Sequence, residues 1–221
     1  MELNLLLSLA IIHLVALASP GPDFALVVKM ASQESRATAI ASAVGISVAI
    51  LLHSLLSLTG VSLVIKSSAI LFMSVQLIGA TYLGWMGLGA IRSAIAHFKE
   101  VWSKTSSTQR LDGEANEPLC NGLTIKQGFM QGLYTNLLNP KAMVFFITLF
   151  SALITPDINL ITKVSAVTIM LLLSLIWFVF IALVLSKPNI QLRVRQASPI
   201  INLVTGLLFV SVAIVIVKGA I

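Results

Sequence analysis

Two charged residues, Asp23 and Lys141, lie inside stretches of sequence that are otherwise uncharged and apolar. An ionisable side chain in such a segment is costly, and it is a functional hypothesis by default. Each of the two directly follows a proline-containing break, which is Pro20-Gly21-Pro22 for Asp23 and Asn139-Pro140 for Lys141. We therefore expect Asp23 and Lys141 to face one shared polar site.

The first break removes backbone hydrogen bonds. Pro20 and Pro22 lack an N–H. The carbonyls of Ala16 and Ala18 therefore lose their partners in a helix, and Gly21 lets the backbone bend. Free carbonyls in an apolar medium must face protein or a water-filled cavity. We expect the break to line a polar site. The alternative is a simple kink whose carbonyls accept hydrogen bonds from a neighbouring side chain or a water.

The second break begins a new helix. Asn139 is placed to cap this helix with Pro140 at its first position, and Asn136 shares a face with Asn139 if the preceding helix continues that far. Exposed N–H groups at the start of a half-helix attract anions. A substrate carboxylate is therefore one candidate ligand, and a kink that only shapes the packing is the alternative.

Asp23 and Lys141 allow several roles. One interpretation pairs them as a mutual ion pair. Another has Asp23 titrating as a proton-coupling group while Lys141 or the half-helix N–H groups hold a substrate carboxylate. The structural alternative makes Asp23 a cap for the helix after Pro22 and lets Lys141 extend toward the polar boundary of its segment.

Two histidines lie in apolar segments. Ala41, Gly45 and Ala49 recur every four residues and form a small-residue stripe suited to close helix packing. His53 continues this stripe and therefore faces protein, where it forms an interhelical hydrogen bond or serves as a proton relay or substrate contact. His13, which precedes the first break by one to two turns, fits a structural bond and a pathway role equally well.

The elements that position these residues follow from composition. The chain has 221 residues, of which 57% are hydrophobic and 10% charged, and its mean hydropathy is +1.01. A soluble domain carries about 25% charged residues, so the sequence predicts an integral protein of the lipid bilayer. The net charge of +6 does not indicate nucleic acid, because there is no basic run with interleaved aromatics. The single cysteine, Cys120, excludes an internal disulfide and a CxxC motif.

Six blocks of sequence are long enough to cross a hydrocarbon core, which takes about 20 apolar residues. They lack the strict alternation of transmembrane strands, so we predict an all-α membrane protein with six transmembrane helices. The blocks are Leu3 to Val28, Ala37 to Ile65, Ser68 to Ile91, Gln127 to Ile154, Val164 to Ser186 and Pro199 to Val217.

The two breaks fall in the first and fourth blocks, so the halves of the chain look like repeats. Because each half has three crossings, the second half starts from the opposite side of the membrane. This is the inverted-repeat plan, in which broken helices build a site at the repeat interface. We predict a single membrane domain over 1–221, with repeat 1 over about 1–92, a cytoplasmic loop over 93–126 and repeat 2 over about 127–221.

The basic residues predict the orientation, because Lys and Arg accumulate in cytoplasmic loops. Ten lie in connections 1–2, 3–4 and 5–6 and three lie on the other side, which puts both termini outside. Ala16-Leu17-Ala18-Ser19 resembles a signal-peptidase site, but no basic residue precedes it, so we expect the first segment to be retained. The ten are Lys29, Arg36, Arg92, Lys99, Lys104, Arg110, Lys126, Lys187, Arg193 and Arg195, and the three are Lys66, Lys163 and Lys218.

The sequence lacks a nucleotide-binding P-loop, a metal-ligand cluster and a serine nucleophile motif. We therefore expect no cofactor, no metal site and no catalytic residue. Transport by such a protein draws on an ion gradient, and with so few carboxylates inside the apolar blocks the simplest coupling ion is the proton.

Three stretches of the chain form a recognisable pattern: Pro20-Gly21-Pro22-Asp23-Phe24, then Gly79-Ala80-x-Tyr82-Leu83-Gly84-Trp85, then Gly132-x-x-x-Asn136-Leu137-x-Asn139-Pro140-Lys141-Ala142-x-x-Phe145-Phe146. Together they resemble the LysE/RhtB family of amino-acid exporters over nearly the whole chain. The resemblance implies efflux of amino acids such as threonine, homoserine, leucine or lysine across the bacterial inner membrane, coupled to the proton motive force. The residues expected to bind substrate or take part in transport are Pro20, Gly21, Pro22, Asp23, His53, Asn136, Asn139, Pro140 and Lys141.

The chain departs from the family pattern at two places. Ala49-Ile50 stand where the family often has a glycine followed by an acidic residue, and Ser151-Ala152-Leu153 replace its Pro-Gln-Phe. With Asp23 and Lys141 the only charges inside the blocks, nothing obvious holds a second positive charge on a substrate. We therefore expect neutral rather than basic amino acids.

Three other functions compete with amino-acid export. An exporter of another small solute or a metal cation on the same fold is the first, although a metal site needs several carboxylates, thiolates or imidazoles together. An intramembrane enzyme is the second, and it lacks a recognisable nucleophile and base. The third is a non-transporting membrane partner. Small-residue stripes fit internal packing and a homo-oligomer seam equally well.

Overall fold

The computed structural model describes residues 2–104, 122–153, 158–184 and 188–220. In these ranges the chain forms eight α-helices and no β-strand. The helices are α1 (Leu3–Ala18), α2 (Pro22–Gln33), α3 (Arg36–Ser67), α4 (Ala69–Lys104), α5 (Ile125–Leu137), α6 (Pro140–Leu153), α7 (Leu160–Val184) and α8 (Pro188–Ala220).

The predicted helix breaks are confirmed. Helices α1 and α2 meet at an angle of 56°, and helices α5 and α6 meet at 58°. Within the described ranges, α3, α4, α7 and α8 each contain a stretch long and apolar enough to cross a membrane, and each bent pair passes the same test when its two helices are taken together. The fold is therefore that of an all-helical, multi-pass membrane protein with four clear spans and up to six.

The outer surface of the helices is apolar, as contact with lipid requires. On α1, Leu3 and Ile11 are 59% and 57% exposed, and Leu7 and Leu14 extend the same stripe along the helix. In water a continuous exposed apolar stripe favours aggregation, whereas in a bilayer it is the matching surface. Polar side chains such as Thr38, Ser42, Ser54 and Ser174 are instead buried between helices.

The boundary of the predicted cytoplasmic loop needs a correction. Helix α4 continues to Lys104, and α5 begins at Ile125, so residues 93–104 are helical although the loop was expected over 93–126. The loss of hydropathy after Arg92 ends the apolar block but not the helix, because Ala, Lys and Glu are strong helix formers. Residues 105–121 of the expected loop lie outside the described residues.

The largest contacts between helices join α4 to α8, α3 to α5 and α3 to α7. The stripe predicted for α3 is confirmed as a buried packing surface, since Ala41, Gly45, Ala49 and His53 are all buried. A Cβ atom added at Gly45 would overlap the carbonyl oxygen of Phe129 on α5. The absent side chain therefore lets the two backbones touch, as small residues do in membrane helix pairs.

Helix α5 begins and approaches α3 through well-defined contacts. The side chain of Thr124 accepts a hydrogen bond from the Gln127 N–H, and the Gln127 side chain accepts one from the Thr124 N–H, which completes a capping box. Further along, a Cβ atom on Gly132 would overlap the carbonyl oxygen of Ser42. This contact fixes the depth at which α5 ends and the second break begins.

Substituting Gly132 tests this close packing. Gly132→Ala places a methyl group against the backbone of α3, so we expect a loss of about 1–3 kcal/mol from the free energy of unfolding, read as a lower thermal midpoint in detergent. Gly89→Ala is the matched control, because nothing lies within 4 Å of a Cβ atom at Gly89. Equal midpoints for the two variants would contradict the packing described for α3 and α5.

Candidate functional site

The first break ends α1 and leaves its last carbonyls to other donors. The Ser19 N–H donates to the carbonyl of Ala16 at 3.2 Å, which takes up the group that Pro20 leaves without a helical partner. The indole N–H of Trp177, on α7, donates to the carbonyl of Leu17 at 3.1 Å. A neighbouring side chain thus stabilises the break at Leu17, whose carbonyl was not one of the two, Ala16 and Ala18, that the sequence indicated.

The second break is capped as predicted. The side-chain oxygen of Asn139 accepts a hydrogen bond from the Lys141 N–H at 3.0 Å, and Pro140 is the first residue of α6. Pro140 also leaves the carbonyl of Asn136 without its helical donor. That carbonyl accepts instead from the Asn139 N–H at 3.0 Å and from Nε2 of His53 at 3.2 Å.

Asp23 reaches from the first break to the second. Its Oδ2 accepts hydrogen bonds from the side-chain amides of Asn136 and Asn139, at 3.0 and 3.2 Å. The alternative that Asp23 caps α2 is wrong, because Gly21 is the N-cap residue and Asp23 lies inside the first turn. Its carboxylate is drawn away from its own helix start by two donors on the other break.

The side chain of Lys141 extends from the second break to the first. Its ammonium donates to the hydroxyl oxygen of Ser19 at 2.8 Å and lies 5.9 Å from the ring centroid of Phe209. The side chain therefore points toward the first break, and the alternative that it extends to the membrane boundary is wrong. Asp23 and Lys141 attract each other electrostatically, but the hydrogen bonds that hold each charge come from neutral side chains of the opposite break.

A cavity of about 50 Å³ lies between the two breaks. This volume exceeds the roughly 10–15 Å³ that one water needs, so a small polar ligand group can contact the side chains there. The cavity is lined by His13, Ala16, Leu17, Ser19, Gly21, Pro22, Asp23, Phe24, Ile50, Asn136, Asn139, Lys141, Ala142, Phe145, Phe146, Phe178 and Phe209.

Two oxygens on this lining have unused hydrogen-bonding capacity. In the part of the chain that the structure describes, Oδ1 of Asp23 and Oδ1 of Asn136 are buried and have no hydrogen-bond partner. The orientation of the Asn139 amide is fixed, because its oxygen takes a backbone N–H and its nitrogen faces the Asp23 carboxylate. The Lys141 ammonium has three N–H groups, of which one is committed to Ser19.

Part of the cavity wall is aromatic. The rings of Phe145 and Phe146 meet edge to face at 5.3 Å, and Phe209 lies 6.0 Å from Phe145. Phe178 on α7 completes this wall. The cavity lining therefore combines the two charged groups of the breaks with an aromatic surface, and the Lys141 ammonium lies beside one of its rings.

The structure brings most of the predicted site residues together. Gly21, Pro22, Asp23, Asn136, Asn139 and Lys141 line the cavity, whereas Pro20, Pro140 and His53 are not lining residues. The ring of His53 stacks on that of Phe146, with 5.9 Å between the ring centroids, and its Nε2 bonds the Asn136 carbonyl. The predicted interhelical hydrogen bond of His53 is confirmed.

Sequence reasoning did not single out Ser19, Trp177, Phe178 and Phe209 as parts of the site. Ser19 adjoins the first break, and that position was an available signal. Trp177, Phe178 and Phe209 lie in α7 and α8, which contain no break and no buried charge among their described residues. Their role follows only from which helices pack around α1.

Comparisons with known proteins agree on one family. The model of the LysE type translocator family matches residues 14–219. The chain is 30% identical over 207 residues to the threonine efflux protein of Escherichia coli (strain K12), with 94% of each chain covered. It is 29% identical over 207 residues to the threonine efflux protein of Salmonella typhi, again with 94% of each covered, and 28% identical over 217 residues to an uncharacterized membrane protein of Haemophilus influenzae, with 98% of each covered. No solved structure gives a significant match.

Asn139 offers a direct test of the second break. Asn139→Ala removes the cap of α6 and one donor to Asp23, so we expect the free energy of unfolding to fall by about 1–2 kcal/mol. Asn139→Ser keeps a capping oxygen but loses the amide donor, so its thermal midpoint should lie between those of Asn139→Ala and the wild type. Coincident midpoints for all three proteins would show that the cap does not stabilise the break.

Proposed function

Because the chain belongs to the LysE type translocator family, we propose that it exports neutral amino acids from the bacterial cytoplasm, with the cavity between the two breaks as its substrate site. The family consists of translocators rather than enzymes, which favours transport over catalysis. Two relatives that align over 94% of their length carry the name threonine efflux protein. They support an amino-acid substrate for this chain.

The observation that carries the proposal is the pair of opposite charges on one cavity, each with free hydrogen-bonding capacity. An α-amino acid presents an ammonium group with donors and a carboxylate with acceptors. The free oxygens of Asp23 and Asn136 suit the ammonium, and the remaining N–H groups of Lys141 suit the carboxylate. Because Asp23 and Lys141 do not bind each other directly, a zwitterion can lie between them without breaking an ion pair.

The aromatic wall then receives the substrate side chain. Among the described lining residues Asp23 is the only acid, so a second positive charge, such as that of lysine, has no partner there. Burying an unpaired charge against Phe145, Phe178 and Phe209 is costly. The cavity therefore favours small neutral side chains.

Proton coupling follows from the same carboxylate. A proton and a substrate ammonium group both neutralise Asp23, and they compete for the same oxygen atoms. A carrier whose site can change the side to which it opens only when a proton or an amino acid is bound, and which never holds both, exchanges a proton for an amino acid. Such competition produces antiport without a separate proton site.

The topology that we propose has six spans in two inverted repeats with both termini outside. The two bends of 56° and 58° give the halves matching broken helices. Contacts of Thr38 with Gly128 and of Ser42 with Gly132 run in the same direction along α3 and α5, which makes these helices parallel. Contacts of Gly87 with Gly206 and of Gly84 with Ala213 run in opposite directions, which makes α4 and α8 antiparallel. Both relations are those that the six-span order requires.

A metal cation is a weaker candidate substrate. The described residues contain no group of three His, Cys, Asp or Glu side chains placed to hold a metal ion. The imidazole of His53 faces the Asn136 carbonyl, and that of His13 lies against Phe145 and Phe146 and bonds Ser174. An oxygen-rich or imidazole-rich cage of the kind that metals require is not formed by these side chains.

Transport in proteoliposomes tests the site. Vesicles loaded with labelled threonine should release it through the wild-type protein, and both Asp23→Asn and Lys141→Gln should weaken apparent affinity about 10- to 100-fold, since each removes a charge-assisted hydrogen bond. Lys29→Gln is the matched control, because Lys29 is exposed on α2 outside the cavity, and it should transport at the wild-type rate. Normal transport by a folded Asp23→Asn, Lys141→Gln double variant would support a non-transporting partner role instead.

Substrate analogues separate the two charged contacts. Threoninol lacks the carboxylate and 3-hydroxybutyrate lacks the ammonium group, so we expect each to compete with threonine at least tenfold more weakly than unlabelled threonine does. In Lys141→Gln the penalty for threoninol should shrink, because the group that reads the carboxylate is gone. An unchanged penalty would assign the carboxylate to another donor.

A pH gradient tests the coupling ion. An acidic exterior should accelerate threonine efflux from wild-type vesicles several-fold, because an external proton displaces the substrate from Asp23. In Asp23→Asn any residual efflux should not respond to the gradient. A sodium gradient imposed at constant pH serves as the control, and a response to sodium alone would overturn proton antiport.

A further inference from the structure

His13 lies on the cavity and takes no part in the binding of the zwitterion described above. It is 1% exposed and stands on α1 beside two rings of the aromatic wall, with its centroid 6.2 Å from that of Phe145 and 5.7 Å from that of Phe146. His13 is a lining residue of the cavity, and its hydrogen bond goes to Ser174 rather than to Asp23 or Lys141. A histidine ring in a wall otherwise made of phenylalanines adds a polar atom where none is needed for packing.

The position of the proton on His13 follows from its partner. We assign the single hydrogen of the Ser174 hydroxyl, on α7, to its contact with the carbonyl of Met170, which lies 2.7 Å away and can only accept. The same hydroxyl oxygen lies 2.8 Å from Nε2 of His13, and it therefore accepts from that nitrogen. A neutral His13 thus carries its proton on Nε2, and Nδ1 holds a lone pair.

This lone pair is unused in the structure. Nδ1 of His13 is buried and has no hydrogen-bond partner in the described ranges. His13 is a lining residue of the cavity, whereas Ser174, the partner of Nε2, is not. Nδ1 lies across the ring from that nitrogen. A buried acceptor without a donor is costly, and a ligand that supplies a donor removes this cost.

We propose that His13 is a specificity-determining residue, whose Nδ1 accepts a hydrogen bond from a hydroxyl group on the substrate side chain, with Ser174 holding the ring in the tautomer that can accept. The proposal rests on the proposed function and names the part of the site that reads the side chain. A neutral acceptor set in a phenylalanine wall selects a side chain that is small and carries one donor. The site therefore distinguishes an amino-acid side chain with a hydroxyl from one of the same shape without it.

The contrast with His53 supports this assignment. His53 spends its Nε2 proton on the Asn136 backbone carbonyl and lies behind Phe146, outside the cavity lining. Its bond joins two helices, and in the described ranges neither of its ring nitrogens is among the buried atoms that lack a hydrogen-bond partner. His13 is anchored through one nitrogen and leaves the other available, which is the arrangement of a binding residue.

The test uses threonine and valine, which have the same shape and differ by a hydroxyl in place of a methyl group. Each is measured as a competitor of labelled-threonine efflux in proteoliposomes, and the ratio of their inhibition constants is the readout. In the wild type we expect threonine to compete about tenfold better, as one buried hydrogen bond provides. In His13→Phe, which keeps an aromatic ring beside Phe145 and Phe146, the ratio should fall to about one.

Two further variants keep the test decisive if His13→Phe does not fold. His13→Asn retains a polar side chain near the position of Nδ1 and should keep part of the preference for threonine. Ser174→Ala removes the anchor of Nε2, so the preference should fall below that of the wild type while valine competes unchanged. A loss of affinity that is equal for threonine and valine in these variants would show a purely structural role and overturn the proposal.

The outcomes also separate this inference from the proposed function. If the wild type moves no amino acid, or if Asp23→Asn and Lys141→Gln transport normally, the proposed function fails first. If the wild type transports threonine and depends on both charges but the threonine-to-valine ratio is unchanged in the folded His13 variants, only the role of His13 is wrong.

Discussion

The rest of the structure depends on a reciprocal set of hydrogen bonds between two helix breaks. The carboxylate of the first break, on Asp23, is held by the amides of Asn136 and Asn139 on the second. The ammonium of the second break, on Lys141, is held by the hydroxyl of Ser19 on the first. Each charge is thus solvated by neutral groups of the opposite break, in addition to the electrostatic attraction between the two charges. This arrangement keeps two charges inside an apolar bundle while leaving both able to bind a ligand.

Neighbouring helices stabilise the two breaks by donating hydrogen bonds that water would otherwise supply. Trp177 and His53 donate to carbonyls at the breaks, and they come from α7 and α3, the helices that pack centrally against each other. Unsatisfied backbone groups in hydrocarbon cost several kcal/mol each. Trp177 removes this cost at the Leu17 carbonyl, and His53 adds a second donor to the Asn136 carbonyl beside the Asn139 N–H. The close contact at Gly45 and Gly132 places α5 at the depth where His53 can reach it. The hydrogen bond from His53 to the second break therefore depends on the close packing that these small residues allow.

Local rules predicted much of this arrangement. Proline and glycine chemistry located both breaks, the Asn-Pro pair predicted the cap of α6, and the four-residue spacing of Ala41, Gly45 and Ala49 predicted the buried face of α3. The partners of the charges were not predictable in this way, because Ser19 and Lys141 are 122 residues apart in the sequence. The end of α4 was misplaced because hydropathy marks the membrane boundary and not the end of a helix. The repeat symmetry, the six spans and the orientation stay predictions.

The side-chain amide of Asn139 has a mechanical consequence. Its oxygen holds the first turn of α6 and its nitrogen holds the carboxylate of Asp23, and both atoms belong to one rigid plane that turns about a single bond. Rotation of that plane releases both contacts together, so the direction of α6 and the state of the carboxylate are linked through one torsion angle. Aspartate at this position would lack the donor, and serine would lack the reach. A change in what Asp23 binds therefore alters the hydrogen bond that caps the first turn of α6, because one side-chain amide makes both contacts.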